Sequence, residues 1–248
     1  MGVAISLRKD YKSSFFKNTL IGLLNGADAD EVIISTGFFQ HGDDTPNPVP
    51  FHALKDLDKN QHSMISALLR YKKVTLVGIR ARKNDPWYAQ YQAAIDYFRN
   101  EIKRTNAPTK LNCYYHKGGE WHAKIAILVR NTKTDPIPLA ALVGSSNLTR
   151  SAMSDSNTPN SMLKKKYGYP HIAYNLEADT LIYVDEVRNI VEQQLAAYTD
   201  MEYGEIISYS TMPHIYGNKN IKSEADVIMA EYKDINSLIS ATAQFDKL

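Results

Sequence analysis

Two short segments of this chain carry the groups needed to hold and attack a phosphodiester. His122-Ala123-Lys124 offers an imidazole and an ammonium, and Gly144-Ser145-Ser146-Asn147 offers a hydroxyl and an amide. Cleaving such an ester takes a nucleophile at phosphorus, donors or positive charge on the non-bridging oxygens, and a proton for the leaving oxygen. Neutral imidazole can attack phosphorus and split one hard step into two. Lysine supplies charge to the phosphoryl oxygens, and serine and asparagine supply directional hydrogen bonds. His122 and Lys124 stand at i and i+2, so on a strand both side chains point to one face.

The surrounding elements must bring these segments together. Ile125-Ala126-Ile127-Leu128-Val129 is apolar and β-branched enough for a buried strand, and Leu139-Ala140-Ala141-Leu142-Val143 reads as its return. Asn131-Thr132-Lys133-Thr134-Asp135-Pro136 between them is strong turn chemistry. A hairpin therefore carries Ser145 and Asn147 back toward His122 and Lys124.

The pattern resembles the phospholipase D superfamily, whose signature is His-x-Lys, then Gly-Ser-x-Asn, then a downstream acid. Asn175-Leu176-Glu177, leading into Leu181-Ile182-Tyr183-Val184, resembles that acid. The specific motifs cover residues 111–185, and segments 32–39 and 74–79 are more weakly similar to earlier strands of the family. Two features depart from the lipid-cleaving members. Val129 stands where the longer signature has an Asp, and the spacing from Lys124 to Gly144 is longer. Both departures are similar to the metal-independent restriction endonucleases of the superfamily. The resemblance implies that His122 is the nucleophile and forms a phosphohistidine. It implies that Lys124, Ser145 and Asn147 bind the phosphoryl oxygens, and that Glu177 accepts a proton from the second ring nitrogen of a histidine. It implies DNA as substrate, no metal and no other cofactor. Members carry two motifs in one chain or pair two single-motif chains. This chain has one His-x-Lys, so a homodimer with a composite active site is expected.

Each of these residues also has a plainer role open to it. His122 alone could be a strand histidine, and Asn147 could cap a short helix expected over residues 148–153. Ser145 and Ser146 could be turn residues, and Glu177 a surface strand residue. His116, before Lys117-Gly118-Gly119, reads as a loop residue, and Trp121 as packing. Two other enzyme or binding classes stay open: a hydrolase or transferase of phospholipid or another small phosphodiester, and a catalytically degenerate scaffold that binds nucleic acid. The first predicts a broad apolar surface around the site, and no such stretch flanks the motifs.

Composition is ordinary for a soluble domain. Hydrophobic residues make up 44% and charged residues 23%, enough to bury a sizeable core. The net charge of +2 gives no global sign of a nucleic-acid binder, so local clusters matter more. Arg80-Ala81-Arg82-Lys83 is one, with Arg80 a candidate substrate contact, and Lys164-Lys165-Lys166 is another. The lysines lie in a polar stretch, residues 154–170, expected as an insertion beside the active site, where they would contact flanking phosphates. Cys113 is the one cysteine, which rules out an intrachain disulfide, and its neighbours suggest a buried strand. No transmembrane or signal segment is evident, so a cytoplasmic protein with no membrane partner is expected. Helices are expected over residues 13–25, 52–71, 85–104, 186–198 and 225–244, and further strands over 31–39, 74–80, 174–184 and 206–210. This alternation implies a single α/β domain spanning residues 1–248, with a mixed, mostly parallel β-sheet flanked by helices on both faces, as in phospholipase D-like folds. No DNA-reading module is visible, so a separate recognition domain or partner chain is a further expectation.

Overall fold

The structure, a computed structural model, describes residues 2–7, 15–37, 39–40, 64–78, 86–116, 123–146, 148–149, 177–199, 206–210, 229, 232–233, 236–237 and 245–247. Its strands are β1 (Gly2–Leu7), β2 (Glu31–Thr36), β3 (Phe39–Gln40), β4 (Lys73–Gly78), β5 (Lys110–His116), β6 (Ile125–Asn131), β7 (Pro136–Gly144), β8 (Leu148–Thr149), β9 (Ala178–Tyr183), β10 (Ile206–Ser210) and β11 (Phe245–Lys247). Its helices are α1 (Phe15–Gly26), α2 (Met64–Leu68), α3 (Pro86–Thr105) and α4 (Arg188–Thr199), the last preceded by a 3-10 turn at Asp185–Val187. Nine strands form one sheet in the order β10-β1-β9-β7-β6-β2-β4-β5-β11, and β3 pairs with β8 separately.

The sheet is mixed and helix-covered, but it is not mostly parallel. Among the described residues only β2–β4 and β4–β5 of its ladders run parallel. The helical crossovers that enforce parallel pairing belong to this one stretch of chain. The β6–β7 hairpin then inserts beside β2, so β6 pairs antiparallel with β2, and β9, β1 and β10 continue antiparallel on its far side. Alternating helices and strands in sequence hid that reversal.

One face carries the main core. Ala4, Leu181, Leu142, Ala126, Ile34, Leu76 and Cys113 sit level with one another across seven strands, and all are buried. On this row pack Phe16, Leu20, Leu23 and Leu24 of α1, Tyr91, Ala94, Ile95 and Phe98 of α3, and Val191 and Leu195 of α4. Those spacings put the apolar residues of each helix on one stripe, so burying the stripe selects the helix. Burial pushes the Cys113 thiol up to about 12, the state of an inert core residue. The opposite face holds a smaller cluster of Ile33, Ile127, Val129 and Ala141, against which Tyr232 packs. Tyr232 belongs to a helical stretch described at residues 229, 232, 233, 236 and 237. Val129 is thus a packing residue of the second face, not a vacant site position.

Local chemistry sets the boundaries. Pro86 opens α3, where its missing N–H costs nothing. Asn106 closes that helix in the left-handed region at φ 50°, with Ala107 N donating to Ile102 O at 3.1 Å. In the hairpin turn, Thr132 Oγ1 donates to Asp135 O at 2.6 Å and accepts from Asp135 N at 3.1 Å. The register shifts between Leu128 and Val129, which leaves Leu139 as the extra residue of a bulge beside Pro138, a residue that cannot donate to a ladder. A helix starting at residue 148 is not found. Leu148 and Thr149 are extended and pair in parallel with Phe39 and Gln40, so their backbone groups go to a strand ladder. Among the described residues no helix is long and apolar enough to cross a membrane.

Candidate active site

The sheet turns polar one step beyond its apolar row. Two residues past Ala4, Leu181, Leu142, Ile34 and Leu76 the aligned positions are Ser6, Asp179, Gly144, Thr36 and Gly78. Lys124 joins this row, because Gly144 N donates to Lys124 O at 3.1 Å one step beyond the Ile125–Val143 pair. The row lies at the C-terminal ends of the parallel strands β2 and β4, the edge where open α/β sheets place their ligand sites. The same alternation that sends Leu142 and Leu181 into the core therefore sends a lysine and an aspartate to its rim.

The hairpin does bring Lys124 against Gly144. The chain from Gly144 onward then docks against β9: Ser145 N donates to Ala178 O at 3.0 Å. Ser145 Oγ accepts from Ala178 N at 2.9 Å and donates to Glu177 Oε2. Glu177, 5% exposed, is therefore not a surface strand residue. It fixes the Ser145 hydroxyl, while Ser145 itself stays open to solvent. His122, Asn147, Arg80, Lys164, Lys165, Lys166, Trp121 and the 154–170 insertion lie outside the described residues, as does the expected contact of Glu177 with a histidine ring. The plainer reading of Asn147 loses its helix, since residues 148 and 149 form a strand. His116 ends β5 opposite Phe245 of β11.

Sequence reasoning missed Asp179. It is 3% exposed and receives Ser146 N at 3.2 Å and Ser146 Oγ at 2.6 Å. The signal was present: a carboxylate at the inward spacing of Leu181 and Tyr183, two residues after Glu177. Ser146, read as a turn residue, is a buried partner of that carboxylate.

Gly144 is required by this arrangement. A Cβ built there would lie 2.1 Å from Asp179 Oδ1, 2.5 Å from Ala178 O and 2.7 Å from Asp179 Cα. Two of those atoms are backbone or backbone-fixed, so a side chain cannot be relieved by a rotamer change. Gly144→Ala should therefore prise β7 from β9 at the site. Overpacking of this kind costs about 1–3 kcal/mol, which for a chain of this size is a melting-point drop of roughly 2–12 °C. Differential scanning calorimetry of the variant checks this; an unchanged melting point would mean that the strands separate freely here.

No protein-family profile matches this chain, and no curated protein matches it. Among solved structures it is similar to a crystal structure of polyphosphate kinase from Porphyromonas gingivalis, with TM-score 0.39 and 14% identity over 79% of this chain. The chain spans 25% of the length of that protein.

Proposed function

We propose that this chain is a metal-independent phosphodiesterase that cleaves DNA through a phosphohistidine intermediate, the nuclease part of a restriction or phage-defence enzyme. The observation that carries the reading is register. Three motif-bearing segments, distant in sequence, are laid side by side: Lys124 against Gly144, and Ser145 against Ala178, next to Glu177. This is the order of motifs in the phospholipase D superfamily, which the sequence resembles.

In the proposed reaction the His122 imidazole attacks phosphorus. A P–N bond forms, a P–O bond breaks, and the departing oxygen takes a proton from a second acid. Water then attacks the phosphohistidine, restoring the imidazole and releasing a phosphate monoester end. Lys124 and Asn147 hold the non-bridging oxygens as charge builds on them. Ser145, its hydroxyl already committed to Glu177 and Ala178 N, is assigned a supporting role for the segment that carries Asn147. Attack and departure occur on opposite faces of phosphorus. One histidine cannot serve both in one step, so the second acid is assigned to the partner subunit's His122 in a twofold dimer. Arg80 and Lys164–Lys166 are assigned to flanking phosphates, and sequence recognition to a further domain or partner chain.

The experiment is incubation of supercoiled plasmid with the native chain in excess chelator, beside His122→Ala. Nicked and linear products should form with the native chain alone. Cleavage that stops in chelator and returns with magnesium would overturn the metal-independent reading.

A further inference from the structure

We propose that Asp179 is a positioning residue of the site, its buried carboxylate holding both Ser146 and the Lys124 ammonium in place at the sheet edge. The proposal deepens the phosphodiesterase reading and rests on it only for what the held ammonium does to a substrate.

Lys124 is 6% exposed and Asp179 3%, and a buried charge without a counter-charge is strongly disfavoured. The register sets these two on either side of Gly144, which has no side chain to part them. Adjacent strands lie about 5 Å apart, so the two backbones stand on the order of 10 Å apart. The carboxylate closes part of that gap, because it lies over Gly144, at the place a Cβ would occupy. On its other flank stands Ser6 of β1, whose buried hydroxyl has no hydrogen-bond partner among the described residues. Its two oxygens take Ser146 N and Oγ, and a carboxylate has about four lone-pair sites, so these two bonds do not by themselves exclude an ammonium. An ammonium has three donors, so one bond to Asp179 leaves others for phosphoryl oxygens. Ser146 directly precedes Asn147, so one carboxylate would index the cation and the amide donor together.

Other charged or titratable groups border this edge. Glu177 lies on the same strand segment, and Tyr115 is on β5. Lys17, buried in the first turn of α1, is a second cation at this end of the helix, since the other end of α1 leads into β2. Lys17 is the competing partner, and the test separates the two.

The test is an NMR titration of the full chain with 13Cε-labelled lysine, the Lys124 resonance identified by its loss in Lys124→Met. In folded Asp179→Asn the Lys124 titration should move down by about one pH unit or more, while Asp179→Glu restores most of it. Should Asp179→Asn fail to fold, the reciprocal experiment decides: Lys124→Met should raise the Asp179 carboxyl titration, read by 13Cγ shifts, and Lys17→Met should leave it unmoved. An unmoved Lys124 in folded Asp179→Asn, or an Asp179 titration that follows Lys17 and not Lys124, overturns the proposal. Neither readout needs cleavage, so failure of the phosphodiesterase reading is seen separately. Where DNA is cleaved, Asp179→Asn should lower kcat by roughly tenfold to a hundredfold with little change in KM, because the loss falls on charge that builds during the reaction.

Discussion

Replacing His122 with alanine should lower DNA cleavage by roughly 10⁴-fold or more, because the proposed chemistry has no other nucleophile to form the first P–N bond. Lys124→Ala should lower it less, by about 10²–10³-fold, the usual cost of removing one preorganised donor to a charge that develops in the transition state. The ranking is the informative part. A nucleophile is needed for the step to occur at all, whereas the oxygens of the phosphoryl group keep Asn147 when Lys124 is gone. Single-turnover cleavage of a labelled duplex gives both rates. An acid-labile, base-stable labelled protein band on rapid quenching should appear in the native chain and be absent in His122→Ala. Cleavage by His122→Ala at more than a tenth of the native rate would remove histidine from the nucleophilic role.

The order of elements was legible wherever one physical rule acted alone. The stripe Phe16, Leu20, Leu23, Leu24 meant a helix because only a helix buries those positions together, and α1 has those bounds within two residues. The hairpin was legible from its turn residues, and with it the approach of Lys124 to Gly144. Strand direction was not, because it depends on which existing strand the hairpin joins, a long-range choice that no local pattern encodes. The extension at Leu148 and Thr149 was hidden for a similar reason: the partner strand lies at Phe39 and Gln40, far earlier in the chain. In the site, Ser145 and Glu177 were readable as members of a motif, but their bond to each other was not. Asp179 was readable in principle. Its spacing to Leu181 and Tyr183 marks an inward carboxylate, and an inward carboxylate needs a partner. The single residue that made room for it, Gly144, was read as part of a motif, when its lack of a side chain is what lets the acid lie across the strand.

A mixed-dimer experiment should give the second large effect, and it separates a shared site from two independent ones by arithmetic. The chain holds one His-x-Lys, and in-line displacement needs groups on both faces of the phosphorus. If each cut uses His122 from both subunits, a dimer with one His122→Ala subunit has lost either its nucleophile or its acid and should be nearly dead. Co-expressing native and His122→Ala chains in equal amounts yields by random pairing about a quarter native dimers and about a half mixed ones. Activity per total chain should then fall to about a quarter of native for a shared site, but only to about a half for independent sites. Two different affinity tags isolate the mixed dimer directly, and its single-turnover rate should lie near that of the double variant. Sedimentation of the native chain in the assay buffer supplies the companion observation, a dimer. A monomer that turns over at the full rate would place both the nucleophile and the acid in one chain, and the acid would then have to be sought among that chain's other titratable groups.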